Sequence, residues 1–449
     1  MQLPEAFTRQ MTDLLGEAEF ETFSKALDED PTVSVRPNPF KPVGETGGIP
    51  RGNSMVAWSS LGEYLDSRPS FTQNPLFHSG AFYVQEASSM FLEQALRQCG
   101  TPRVVLDLCA APGGKSTLLR SLLPDDALLV CNEPVRSRAE ILAENITKWG
   151  HEGCVVTCNY PKDFAKAGLQ FDLIAADVPC SGEGMFRKDN PALEMWSPDA
   201  VEECATRQRD IISAIWPTLR QGGFLIYSTC TYNTRENEEN INYICRELGA
   251  EPVGITVDPA LQITGSLLKG STLPVCRFLP HKTRGEGFFL CLLRKTSPAT
   301  AAKPRSKGNP KPLPKTWQSY ITDPQDMALM EKDDIVYAVR RGDIALTESI
   351  AKRLYILHAG LPLYEKKANK QIPCHALAMS RRLAADAFPR VELSREQAIN
   401  YLNRQAITID APRGYILLTF AGLPLGFVNN LGNRANNMYP RNWKIKHLS

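Results

Sequence analysis

Residues 104–295 predict an α/β core built on a doubly wound, mostly parallel sheet. Three observations predict it. Short apolar runs alternate with amphipathic stretches along the whole segment. The first run ends in a glycine-rich turn that opens a helix. Two later runs end in loops that each carry a cysteine. Strand and helix in strict alternation bury both faces of a parallel sheet, and ligands then bind at the carboxyl ends of its strands.

The elements follow in order. Val104–Cys109 reads as a strand, Lys115–Leu123 as a helix and Leu128–Asn132 as a strand. Ser137–Trp149 is a helix with Ile141, Asn145, Ile146 and Trp149 along one side. Cys154–Cys158 and Phe171–Asp177 are strands, Glu202–Leu219 is a helix and Gly223–Thr229 a strand. The spacing of Asn233 and Glu236 opens another helix in capping-box fashion, and the apolar run Gly287–Leu293 closes the segment. Before the core, residues 1–45 read as helices, a short strand and an Asn-Pro-Phe-Lys-Pro turn, and Glu86–Arg97 as a helix. Beyond it, residues 296–315 are rich in Pro, Ala, Ser and Lys without apolar periodicity, which marks a linker. The tail has helices near 343–357 and 395–403 and strands Gly414–Phe420 and Leu425–Val428. The resulting division is 1–90, 91–296, a linker 297–316, and 317–449.

Bulk properties exclude several classes. A chain of 449 residues is too long for one core, and about one domain per 150 residues makes roughly three. No apolar run approaches the roughly 20 residues of a membrane span. The N-terminus alternates charge with apolar residues, unlike a secretory signal, so a cytoplasmic protein is expected. Twelve cysteines contain no C-x-x-C pair, which argues against structural zinc or any other bound metal. The net charge is +2, but residues 303–315 and 434–446 are basic with almost no acid, a pattern that suits a polyanion or simply a solvated face.

Four motifs carry chemistry. Asp107-Leu108-Cys109-Ala110-Ala111-Pro112-Gly113-Gly114-Lys115-Ser116-Thr117 ends a strand in small residues and begins a helix, so a ligand can meet free amides. A phosphate loop needs glycine where Cys109 stands, so that reading fails. Glu133 ends the next strand, some 20 residues past the turn, where a carboxylate can take both hydroxyls of a ribose; a solvent-facing glutamate is the plain alternative. Asp177-Val178-Pro179-Cys180 and Ser228-Thr229-Cys230-Thr231 each place a cysteine just past a strand. Two buried structural thiols are the plain alternative there.

DLCAAPGGKST, NEPVRSRAEIL, DVPCSGEGMFRKD and YSTCTYNTRENE occur in this order, with YVQEASSMF before them and GLPLYEKK, IPCHALAMS and GYILLTFAGLPLGFVNNLGNRANNMYP after. Over nearly its whole length the chain thus resembles the Nol/Sun (Fmu) family of RNA cytosine-5 methyltransferases, in particular its bacterial RsmF-like branch. The resemblance implies a Rossmann-like class I methyltransferase core using S-adenosyl-L-methionine, an N-terminal RNA-binding module and a C-terminal PUA-like RNA-binding region. It implies that Cys109, Ala110, Ala111, Pro112, Gly113, Gly114 and Lys115 wrap the cofactor's methionine part, and that Glu133 holds its ribose. Asp177 would lie near cofactor and target base, Cys230 would be the nucleophile, and Cys180 would assist product release. One departure is visible. Cys158-Asn159-Tyr160-Pro161 puts Tyr160 where relatives often carry an adenine-side acid, which leaves Asn159 as the substitute candidate.

The chemistry needs these residue types. Carbon 5 of cytosine is too electron-poor to attack a sulfonium methyl unless a thiolate first adds at carbon 6. A free thiol is only a few per cent ionised at neutral pH, so the site must favour the thiolate of Cys230, with Lys115 or the sulfonium charge as the source. The expected partner is RNA, ribosomal RNA ahead of tRNA, met by a monomer. Tyr439 and Trp443 among Arg441 and Lys444 could stack on unpaired bases or sit in the core of a small barrel. The rival reading from another class is an RNA-binding assembly factor with a dead site.

Overall fold

The structure, a computed structural model, describes residues 1–44, 48–188, 190–298, 310–368 and 370–445. Residues 303–309 and 446 of the two basic runs, and most of the linker, lie outside them.

The centre is a Rossmann-like sheet. Its strands run Ala250–Val253, Phe288–Lys295, Leu219–Thr229, Phe171–Asp177, Val104–Asp107, Leu128–Asn132, Cys154–Thr157 and Ile356–Ala359, and Cys276–Phe278 pairs with Phe288–Lys295. The five from Leu219–Thr229 to Cys154–Thr157 are mutually parallel; Phe288–Lys295 and Ile356–Ala359 join them antiparallel. All residues of Leu128–Asn132 and Cys154–Thr157 are buried, as expected of strands covered on both faces.

Most predicted elements form, with instructive shifts. The helix Pro198–Ile215 starts earlier than Glu202, because Ser197 caps it by accepting from the Ala200 amide at 3.1 Å and Pro198 sits in the first turn. It ends at Ile215, and the strand after it begins at Leu219. Asn233 and Glu236 do bond to each other, at 2.8 Å in both directions, but they close a turn and the helix begins only at Glu238. In the tail, the helix stops at Arg353, and Ile356–Ala359 is not its end but the edge strand beside Cys154–Thr157.

Flanking elements lean on this sheet. The helices Glu5–Leu15 and Glu17–Leu27 bury Phe7 and Phe23 against Phe186, Trp196 and Tyr232. A four-stranded sheet containing Val33–Pro37 presents Arg36, fully buried, to the core; its guanidinium donates to the Gly114 carbonyl at 3.2 Å and Thr117 at 2.6 Å and lies over Trp149. The tail holds two more four-stranded sheets, the first within 327–373 and the second within 390–437. Tyr439 is fully buried there, edge-on to His375 and Tyr401, so it is a core aromatic, while Arg441 and Lys444 are exposed. Among the described residues, no helix is long and apolar enough to cross a membrane.

Candidate active site

The strand Val104–Asp107 ends where its neighbours' amides and carbonyls continue to hold the chain: Leu108 donates to Ala175 and Ala110 to Asn132, each at 2.8 Å. The turn then reverses at Gly113, whose φ of 116° is a left-handed value, and the helix Gly114–Leu122 begins. A side chain at Gly113 would also press on Asn145 at 3.3 Å. The turn's backbone therefore lies open at a helix N-terminus. It lines a cavity of about 310 Å³ with Tyr83, Gln85, Ser89, Lys115 and Asp177 around it.

Two carboxylates stand at this end of the sheet. Asp107 is buried, accepts from the Ser116 hydroxyl at 2.6 Å, and leaves its second oxygen without a partner. Burial pushes its carboxyl up to about 7, against the pull of Ser116 and Lys115. Glu133 is 2% exposed; it accepts from the Val135 amide at 3.0 Å and sits 3.5 Å from Arg138. Its remaining lone pairs suit a pair of hydroxyls. Asn159 has both ends of its amide on the backbone of Tyr355, each at 3.1 Å, so its side chain joins the tail to the core. Tyr160 is 62% exposed.

The cysteines meet. Cys180 and Cys230 follow adjacent parallel strands, whose register pairs Asp177 with Ser228, and their sulfurs lie 3.2 Å apart. The Cys230 amide also points at the Cys180 sulfur, at 3.4 Å. Asp177 accepts from Lys115 at 2.8 Å and from the Ser228 hydroxyl at 2.7 Å. Burial pulls the Lys115 ammonium down, but the charges of Asp177, Cys230 and Asp107 raise it overall, so Lys115 stays cationic beside the thiols. Its hydrogen bond to Cys230, burial and the charges of Cys230 and Glu236 hold the Cys180 thiol far above its ordinary range. The structure thus brings Cys109–Lys115, Asp177, Cys180 and Cys230 to one end of the sheet.

These elements are the architecture of a known family. The description "16S rRNA methyltransferase RsmB/F" matches residues 96–294, "N-terminal domain of 16S rRNA methyltransferase RsmF" matches 3–87, and "Methyltransferase RsmF PUA domain" matches 388–445. Ribosomal RNA small subunit methyltransferase F of Erwinia tasmaniensis is 30% identical across 98% of this chain and 96% of its own length. The chain belongs to the RsmF family. A second RsmF relative, from Shewanella loihica, is 31% identical over 81% of this chain and 77% of its own. Among solved structures, NSun6 from Pyrococcus horikoshii shares the fold with a TM-score of 0.55 at 22% identity, covering 66% of this chain and 98% of that one. A methyltransferase homolog from the same organism does so at 0.55 and 24%, covering 65% and 95%. Membership makes S-adenosylmethionine the cofactor. The cavity fits it, with an open helix N-terminus and small residues along the turn, and the buried Glu133 with free lone pairs follows the next strand.

Several contacts of the site escaped the sequence. Ser228 and Lys115 both secure Asp177. Arg36, from the N-terminal sheet, holds the glycine-rich turn from behind. Glu183 and Glu236 are both fully buried around the two cysteines. A glutamate between two glycines in a strand-end loop was the available signal for Glu183.

Proposed function

We propose that this protein transfers a methyl group from S-adenosylmethionine to carbon 5 of a cytosine in 16S ribosomal RNA, in the cytoplasm, through a covalent bond to Cys230. The observation that carries this reading is the pair of thiols 3.2 Å apart at the ends of adjacent strands, beside a lysine–aspartate pair. One nucleophile would need one cysteine; a second thiol in contact suits a reaction whose adduct must also be undone.

In this reading Cys109–Lys115 and Glu133 hold the cofactor, which supplies an electrophilic methyl group. The Cys230 thiolate, next to the Lys115 charge, forms a bond to carbon 6 as the ring's π electrons move toward carbon 5. Asp177 would meet ring nitrogen 3 and balance the charge that develops there. After methylation the carbon-5 proton leaves to a base, the sulfur–carbon bond breaks, and Cys180, kept as a thiol, assists departure of Cys230. The target base must leave its stack to reach the sulfur. Residues 1–90 and 317–449 grip the RNA around it.

Cys230→Ala is expected to abolish tritium transfer from labelled S-adenosylmethionine to 16S RNA while leaving cofactor affinity within twofold. Cys180→Ala is expected to accumulate a protein–RNA adduct that shifts on a denaturing gel. The reverse pattern, an adduct with Cys230→Ala and simple inactivity with Cys180→Ala, would exchange the roles. Nucleoside mass spectrometry of the product RNA without 5-methylcytidine would end the reading.

A further inference from the structure

Two fully buried glutamates, Glu183 and Glu236, connect the cysteine loops in opposite directions. Glu183 belongs to the Cys180 loop. Its carboxylate accepts from the amides of Tyr232 at 2.7 Å and Asn233 at 3.0 Å, both in the Cys230 loop, and from the Asn233 side chain at 3.1 Å. Glu236 belongs to the Cys230 loop. It accepts from the Ser181 amide at 3.0 Å and the Ser181 hydroxyl, both in the Cys180 loop, and from Gln208 and Asn233 at 2.7 and 2.8 Å. Each loop thus lends a carboxylate to the backbone of the other.

The donors are backbone amides, side-chain amides, a hydroxyl and the Trp196 indole, all neutral. A buried carboxylate held only by neutral donors is a costly arrangement for stability alone. What it delivers is geometry: charge-assisted bonds are short and directional, and several at once leave a loop little freedom. Around the brace the two backbones are in direct contact. Gly184 donates to the Cys230 carbonyl at 2.8 Å, and a side chain at Gly184 would come within 2.9 Å of that oxygen.

We propose that Glu183 and Glu236 are positioning residues that hold the Cys180 and Cys230 sulfurs in contact, so that the thiol that assists release stays beside the thiolate that attacks. This rests on the reading of Cys230 as nucleophile and Cys180 as its partner. Neither glutamate hydrogen-bonds to the glycine-rich turn 109–115. Both act through the cysteines.

The test reads sulfur contact and turnover separately, in the full-length protein. Diamide, a diazene oxidant, takes up two hydrogens as two S–H bonds give way to one S–S bond. Peptide mass spectrometry then follows the 180–230 cross-link among the twelve cysteines. Glu183→Gln and Glu236→Gln are each expected to slow cross-linking at least tenfold. They should also lower kcat about 10- to 100-fold, the scale of a displacement near 1 Å, with KM for S-adenosylmethionine within twofold. A wild-type cross-linking rate in either variant, or slow cross-linking with undiminished kcat, would overturn the proposal. If the glutamine variants do not fold, Ser181→Ala removes one strut and keeps both carboxylates; it should slow cross-linking and kcat about threefold together, and no change in either overturns the brace. Full methylation by Cys230→Ala would defeat the functional reading instead, while the cross-linking rates would still report on the brace.

Discussion

Asp107 carries a carboxyl where charge is penalised, and that has a measurable consequence. It is 1% exposed, and burial raises it from 3.8 to about 7. The unfolded chain releases this proton near pH 4, whereas the folded protein keeps it until about pH 7. The folded state binds more protons over that window, so stability falls as pH rises through it, and the full penalty is present above pH 7. At about 1.4 kcal/mol per pH unit, raising the pH from 5 to 8 costs the folded protein on the order of 2–3 kcal/mol from this group. Asp107→Asn cannot ionise. Relative to wild type, its cofactor-free melting temperature should rise by several degrees between pH 5 and pH 8. Melting curves that move in parallel across that range would show that Asp107 is already ionised in the fold.

Elements were more legible than their junctions. The strands Leu128–Asn132 and Phe171–Asp177 could be placed to the residue, because continuous apolar runs between turns have few other solutions. The motif turns followed from them, and with those turns the two cysteines. Ile356–Ala359 could not be read, since a short run after a helix looks the same whether it ends the helix or docks on another sheet; only the edge of Cys154–Thr157 decides. Glu236 was hidden for a related reason: buried carboxylates are rare, and nothing local distinguishes it from an exposed one, while Glu183 had only its flanking glycines to mark it. The same junction holds Glu152, fully buried just before Cys154–Thr157, which accepts from Arg381 at 2.9 and 3.0 Å and Arg382 at 2.8 Å. Burial works against the Glu152 charge, yet Arg381 and His151 hold its carboxyl down near 2. Replacing both arginines with alanine would leave that charge buried and unpaired. The double variant should lose about 3–5 kcal/mol in urea unfolding at pH 7. A loss below about 1 kcal/mol would mean that the tail is not held to the core by this cluster.

On the scale of the molecule, the N-terminal helices are joined to the two cysteine loops. Phe7 packs edge-on against Phe186 and Trp196, Phe23 against Tyr232, and Gln10 donates to Glu183 at 2.9 Å. Tyr232 is two residues from Cys230, and Phe186 follows the loop of Cys180. If the helix pair serves only to grip RNA, loosening it raises KM for RNA and leaves kcat intact at saturation. If it also clamps the loops, turnover itself must fall. Both phenylalanines are fully buried, and each truncation to alanine removes about 3–5 kcal/mol of packing at this contact. Phe7→Ala/Phe23→Ala is therefore expected to detach the pair while Arg36 and the sheet behind the glycine-rich turn stay in place. S-adenosylmethionine should bind with unchanged affinity by calorimetry, and kcat at saturating 16S RNA should drop at least tenfold. A rise in KM for RNA alone would make the helices a handle for substrate and no part of the catalytic frame.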